Sequence, residues 1–203
     1  MQKINNEIIK PDHRIIFNIV ETGSRVLDLG CGGGELLNLL VREKKVKAQG
    51  IELREKAIYE CVEKGLSVFH GDIEGGLDEY PDDSFDYVIL NQSMQETRKI
   101  EFVLRESLRV GRKVIVGFPN FAYIRSRFSL FLGGRAPVTP SLPYKWYESP
   151  NVHFLSIKDF KGYCKEKGIN IIRTYYLGSK GLIRCFPNLL ALNAIFVLGK
   201  SPR

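Results

Sequence analysis

The chain is poor in the residues that announce a metalloprotein, a disulfide scaffold or a membrane protein. Its four cysteines stand at 31, 61, 164 and 185 and its three histidines at 13, 70 and 153. None forms a C-x-x-C pair or a short Cys/His spacing, so neither a metal site nor a disulfide framework is expected. No apolar run approaches the roughly 20 residues needed to span a bilayer, so no membrane partner is expected. The opening residues, Met1 to Glu7, lack the apolar core of a signal peptide, and a cytoplasmic protein is the expectation. Low-complexity stretches are missing too, and the 44% hydrophobic content is ordinary. The 203 residues suffice for one domain with a sizeable core. The net charge of +7 is spread along the chain, without an arginine block or a nucleic-acid motif, so nucleic acid is not the expected partner.

What is present is a run of glycines at Arg25 to Glu35, reading R-V-L-D-L-G-C-G-G-G-E. Val26, Leu27 and Leu29 make a short strand, and Leu36, Leu37, Leu39 and Leu40 open a helix. Such a turn lets a ligand approach the backbone and aims free helix N–H groups at it. The spacing excludes a phosphate loop, since no Lys-Ser or Lys-Thr pair follows. It also departs from the dinucleotide fingerprint, because Glu35 stands where the last Gly or Ala belongs. What remains is Asp28-x-Gly30-x-Gly32-x-Gly34, an acid at the strand end before the first glycine. That carboxylate would repel a pyrophosphate and suits a ligand carrying an amino group and no phosphate. Cys31 is read as a small residue filling space inside the loop.

Further strands follow over about 48–53, 67–70, 85–90 and 113–118, with helices near 54–64 and 98–109. Earlier, Asp12 is placed to cap a helix behind a loose lead-in over 1–11. Strands and helices alternate five times with short connections, which indicates a parallel sheet covered by helices on both faces. Glu52, at the tip of the second strand, is placed to accept hydrogen bonds from two ribose hydroxyls. Asp28 and Glu52, at strand ends, are expected outside the core. Asn91, at the carboxyl end of the fourth strand, lies where an open sheet binds its ligand.

After the fifth strand the rhythm breaks. Residues 119–155 are too long for an ordinary connection and are rich in aromatics and arginine, with Glu148 the one acid. Lid, binding loop, interface or plain cover for the sheet all remain open. Ser156 and Asp159 are spaced as a capping box, and Ile169 to Leu177 with Leu190 to Leu198 would close the sheet as an antiparallel pair.

The glycine run resembles motif I of class I S-adenosylmethionine-dependent methyltransferases. The resemblance implies a Rossmann-like α/β fold: a mostly parallel seven-stranded sheet with one antiparallel strand and helices on both faces. Its implied cofactor residues are Asp28, Gly30, Cys31, Gly32, Gly34, Glu52, Leu53, Asp72, Ile73 and Asn91. In that family an acid at the position of Asp72 bonds the adenine amino group, and Ile73 would pack beside the ring. The later run narrows the resemblance: Phe118-Pro119-Asn120-Phe121, Pro137-Val138-Thr139, Leu142-Pro143-Tyr144-Lys145-Trp146-Tyr147 and Pro150-Asn151-Val152-His153 are similar to the methionine biosynthesis protein family MetW. That implies a single domain over 1–203 with an inserted segment at about 119–155. It also implies a bacterial methionine pathway, S-adenosylmethionine or S-adenosylhomocysteine as cofactor, and a homoserine O-acyltransferase of α/β-hydrolase type as partner. An accessory or regulatory subunit and a small-molecule methyltransferase both fit. Gln92 to Thr97 holds no histidine base and no Asn-Pro-Pro-Tyr motif occurs, so no catalytic residue is assigned.

Overall fold

A computed structural model describes residues 3–4 and 7–200, the side chains from residue 9 onward. The chain forms two compact units, Met1–Asn91 with Lys99–Ile115, and Gln92–Arg98 with Val116–Arg203.

The first unit opens with β1 (Lys3–Ile4) paired antiparallel to β2 (Glu7–Ile8). Of the lead-in expected over 1–11, residues 1–2 and 5–6 lie outside the described residues. Helix α1 (Pro11–Ile19) starts on proline, which has no N–H to leave unsatisfied there. The expected Asp12 cap is not made: Lys10 holds the cap position, and no side chain caps the helix. Then come β3 (Arg25–Leu29), α2 (Glu35–Lys44), β4 (Lys47–Glu52), α3 (Glu55–Glu63), β5 (Val68–His70), a 3₁₀ turn (Ile73–Gly75), β6 (Phe85–Asn91) and α4 (Ile100–Val110). Strand β3 is central, parallel to β4 on one side and β6 on the other, with Asp28 opposite Gly50 and Ile89. Strand β5 continues the parallel order beyond β4. Leu27, Leu29, Val88, Ile89, Leu37, Leu40 and Leu104 are fully buried, so apolar strands meet the apolar faces of α2 and α4.

One side chain ties down the long connection before β6. The Arg109 guanidinium donates to the carbonyls of Leu77 (2.9 Å) and Tyr80 (2.9 Å), to Asp82 (3.0 Å) and to Glu106 (2.8 Å).

Strand β7 (Gly111–Pro119) begins directly at the end of α4 and runs from the first unit into the second. The second unit adds a 3₁₀ turn (Met94–Glu96), α5 (Ile124–Gly133), α6 (Ile157–Glu166), β8 (Asn170–Gly178), β9 (Gly181–Leu182), α7 (Pro187–Leu190) and β10 (Asn193–Gly199). Its core is a cluster of Phe118, Phe160 and Phe196, with ring centres 4.9–5.7 Å apart. The expected capping box is formed: Ser156 Oγ accepts from Asp159 N at 3.2 Å, and Asp159 Oδ2 accepts from Ser156 N at 2.9 Å. Strands β8 and β10 are antiparallel, as expected. Leu190 belongs to the one-turn α7 rather than to the last strand, which starts at Asn193.

The sheet order is β5-β4-β3-β6-β7-β10-β8-β9. The seven expected strands are present, and the two-residue β9 is an eighth on the far edge. No helix among the described residues is long and apolar enough to cross a membrane.

Candidate functional site

All ten residues expected to hold a cofactor fall in the first unit, at or beyond the carboxyl ends of β5, β4, β3 and β6. Adjacent parallel strands end there side by side, which is where open α/β sheets bind ligands.

The loop after β3 is built from glycines with left-handed backbone: φ is 74° at Gly30, 57° at Gly32 and 76° at Gly34. Gly30 N and Cys31 N both donate to the Ile51 carbonyl, at 2.8 and 3.2 Å, and pin the loop to β4. A Cβ on Gly34 would meet Leu66 Cδ1 at 2.5 Å and Cys61 Sγ at 2.8 Å, so this position is closed to a side chain as well as strained for one. Cys31 packs over Gly50, where an added Cβ would meet its Sγ at 2.6 Å. Burial pushes the Cys31 thiol far above its ordinary range, so it acts as packing and not as a nucleophile.

The two acids at the site differ in their hydrogen bonding, and both are buried, contrary to the expectation that strand ends would leave them outside the core. Glu52, 5% exposed, is held by four N–H donors. Its Oε2 accepts from Gly32 N at 2.8 Å, and its Oε1 from Leu53 N (3.1 Å), Arg54 N (3.0 Å) and Arg54 Nε (3.1 Å). Burial works against its charge, but the hydrogen bonds from Arg54 and Gly32 outweigh it, and the carboxyl sits below its ordinary value. Asp28, 3% exposed, has no hydrogen bond or ion pair to its carboxylate among the described residues. Burial, with the charge of Glu52 behind it, pushes Asp28 up to about 7.

Leu53 follows Glu52 and is 59% exposed, an apolar side chain left facing outward beside the acid. Its carbonyl lies 3.1 Å from His70 Nε2. Asp72 is exposed and caps the 3₁₀ turn by accepting from Glu74 N at 2.8 Å; Ile73, half-buried, opens that turn. Asn91 Nδ2 donates to Asp12 Oδ2 at 2.9 Å, while Asn91 Oδ1 is buried without a partner.

The sequence reading missed α1 as a wall of this site. Asp12 orients Asn91, and His13 is buried one residue on, pushed below its ordinary value by burial, with Asp12 and Glu35 acting in the other direction. The Pro-Asp-His start was legible as a helix start but carried no sign of where that helix packs. Among the described residues, no three or more of His, Cys, Asp and Glu are grouped to hold a metal ion.

The second unit has its own unsatisfied polar atoms. Ser93 Oγ, Gln95 Oε1 and His153 Nε2 are buried without hydrogen-bond partners. Val152 N and His153 N both donate to the Gln95 carbonyl, at 2.9 and 3.0 Å. Gln92, just before, takes φ 61°, a strained value for a residue with a side chain.

The strand order, the glycine turn after the first parallel strand of the main sheet and the acid at the tip of the next define a class I methyltransferase fold. Solved structures agree on the fold: the chain superposes with a TM-score of 0.70 and 17% identity on a Thermotoga maritima protein described as a SAM-dependent methyltransferase, possible histamine N-methyltransferase, covering 94% of this chain and 88% of that one. A SAM-dependent methyltransferase from Archaeoglobus fulgidus matches with TM-score 0.66 and 15% identity, over 93% of this chain and 91% of that one. Residues 10–198 match the family described as methionine biosynthesis protein MetW, and the chain belongs to that family. A relative from Rhodopirellula baltica, the bifunctional methionine biosynthesis protein MetXA/MetW, is 36% identical in an alignment of 159 residues that covers 74% of this chain. The match spans 26% of that relative's length.

Proposed function

We propose that this chain binds S-adenosylmethionine, or S-adenosylhomocysteine, in its first unit, and that it serves as accessory subunit of a homoserine O-acyltransferase in methionine synthesis. The residues fit such a ligand. Asp28 is 3% exposed and its carboxylate has no hydrogen bond or ion pair among the described residues, and Asn91 Oδ1 is a buried acceptor without a donor; an ammonium group is the partner that suits an unpaired acid and an unpaired acceptor. The glycine loop admits a ligand against its backbone, Glu52 takes a ribose hydroxyl, and Leu53, Asp72 and Ile73 offer an apolar face and an acid for a base. The observation that supports the partnership is the Rhodopirellula relative, in which a MetW-like part is one piece of a longer bifunctional chain. We read the other piece as the acyltransferase, here a separate chain. The 119–155 segment is, on this reading, an insertion in a single methyltransferase-like domain.

The test is homoserine acyltransferase activity of the enzyme from the same genome, with and without this protein, and again with S-adenosylmethionine present. A change on adding the protein supports the subunit reading, and a further change with the ligand supports a sensor. No change in either condition refutes it.

Methyl transfer to a small molecule is the second reading, favoured by Ser93, Gln95 and His153, whose buried polar atoms have no hydrogen-bond partner within the fold. Labelled methyl transfer from S-adenosylmethionine into a cell metabolite extract is its test; no labelled product counts against it.

A further inference from the structure

The second unit carries an apolar surface that its own fold leaves uncovered. On α5 only Ser126 is buried, while Phe128, Leu130, Phe131 and Leu132 are 55, 45, 86 and 73% exposed. Trp146 is 79% exposed and Tyr147 59%. Single exposed apolar residues are ordinary, but this many large ones within residues 128–147 mark an interaction surface. Two members of the set, Leu130 and Trp146, line a cavity of about 210 Å³ together with Phe121, Leu142, Tyr144 and Phe154. The cavity is preformed: Phe121 and Phe154 pack with ring centres 5.1 Å apart, Phe121 N donates to the Leu155 carbonyl at 3.1 Å, and Leu142 is locked by paired hydrogen bonds with Thr139. Its size suits one or two side chains and not a cofactor. A groove beside it shares Ala136 and Trp146 and is lined by Arg135 and Lys145.

Charge chooses between occupants. Arg125, Arg127, Arg135 and Lys145 are all exposed, and Glu148 is the single acid between residues 119 and 155. A second copy of the chain would set this basic surface against itself, which is unfavourable. An acidic partner would meet it with opposite charge and put an apolar anchor in the cavity.

We infer that the Trp146 cavity and the Arg135–Lys145 groove dock a segment of the acyltransferase partner in which an apolar or aromatic side chain is flanked by carboxylates. This rests on the partnership proposed above and adds where, and by what chemistry, the contact is made. The anchor fills the cavity, and the carboxylates lie on Arg135 and Lys145. Docking of this kind uses few strong contacts, so truncating the central aromatic removes most of the affinity.

The experiment measures binding of the purified full chain to the acyltransferase from the same genome, by surface immobilisation of either partner. Trp146→Ala is expected to weaken binding by at least about tenfold. The double charge reversal Arg135→Glu/Lys145→Glu should weaken it comparably and flatten its salt dependence. Both variants should keep the wild-type melting temperature and S-adenosylmethionine affinity, which separates lost docking from lost folding. If the wild type binds the acyltransferase and both variants bind within twofold of it, the docking site is refuted and the partnership stands. If the wild type does not bind, the partnership itself fails. A wild-type dimer that Trp146→Ala turns into a monomer would assign the surface to self-association and overturn the inference.

Discussion

If the unpaired Asp28 carboxylate receives the ammonium group of the ligand, binding must be coupled to the loss of a proton. The perturbation is pH. With the free carboxyl at about 7, half of the sites are ionised at pH 7. About one in a hundred is ionised at pH 5. The ligand's amine stays protonated throughout that range, and Glu52, held below its ordinary value, stays charged. The buried Cys31 thiol stays neutral. Affinity should therefore fall roughly 50-fold between pH 7 and pH 5, about 2 kcal/mol. The assay is titration calorimetry with S-adenosylhomocysteine at several pH values, in two buffers of different ionisation heat. Close to one proton should be released at pH 5 and about half a proton at pH 7. The same shift has a stability consequence of opposite sense. Burial raises Asp28 from 3.8, so the fold favours the protonated form; its contribution is full below about pH 4 and is lost as the pH rises through 7. The loss is on the order of 4 kcal/mol. Asp28→Asn removes it but buries an amide that lacks partners, at about 1–3 kcal/mol. The variant should melt higher than the wild type at pH 8 by a few degrees, bind weakly, and show no pH dependence of binding between 5 and 7. Affinity of the wild type that varies less than threefold over that range would refute the assignment of Asp28 to the ammonium group.

Three further outcomes follow from the geometry. Gly34→Ala meets both a left-handed backbone and the side chains of Leu66 and Cys61, and should cost about 2–4 kcal/mol in chemical denaturation and abolish ligand binding. Arg109→Ala removes three guanidinium contacts that hold residues 77–82 and a fourth to Glu106, and should lower stability by about 2–3 kcal/mol, with Arg109→Lys recovering less than half because an ammonium cannot reproduce the fork. Arg54→Ala frees Glu52 Oε1 from a side chain that is 74% exposed. It should cost under about 1 kcal/mol of stability and tighten ligand binding about two- to fivefold; a tenfold weakening would show that Arg54 holds the ligand instead.

What was legible in the sequence was set by local rules. The glycine loop follows from the need for left-handed backbone at three positions, and Glu52 from the length of one crossover helix between two parallel strands. The Ser156–Asp159 box is readable because its partners lie three residues apart. The rest depends on where distant segments settle. Asp12 was legible as an acid near a helix start, but its use by Asn91 depends on α1 packing over the end of β6. Helix α7 is a single turn, too short for any periodicity to mark it, so Leu190 reads as strand. The burial of Asp28 was invisible for the same reason: a strand-end acid reads as exposed unless one knows that loop, neighbouring strand and helix close around it. Residues 119–155 could be read as plain cover for the sheet, and only the exposure of Phe131 and Leu132 shows apolar side chains turned outward.

The contrast between the two acids bears on which ligand the first unit takes. Four N–H donors already surround Glu52, so its charge is satisfied before anything binds. A hydroxyl can use the remaining lone pair on Oε2, and a second can reach Oε1 only as Arg54 Nε withdraws. Such an exchange replaces one hydrogen bond by another and selects weakly among adenosine-bearing ligands. Asp28 is different, because ionising it without a partner is unfavourable in a buried site. A pyrophosphate brought against the loop would add to that cost, and a neutral ligand would leave it in place. A cation removes it. The discrimination between a dinucleotide and an amino-acid-bearing nucleoside therefore sits with the unsatisfied acid and not with the glycines, which either ligand could use. By the same reasoning, an ammonium-free adenosine fragment should bind with little dependence on pH between 5 and 7, whereas the intact amino-acid ligand should show the full titration of Asp28.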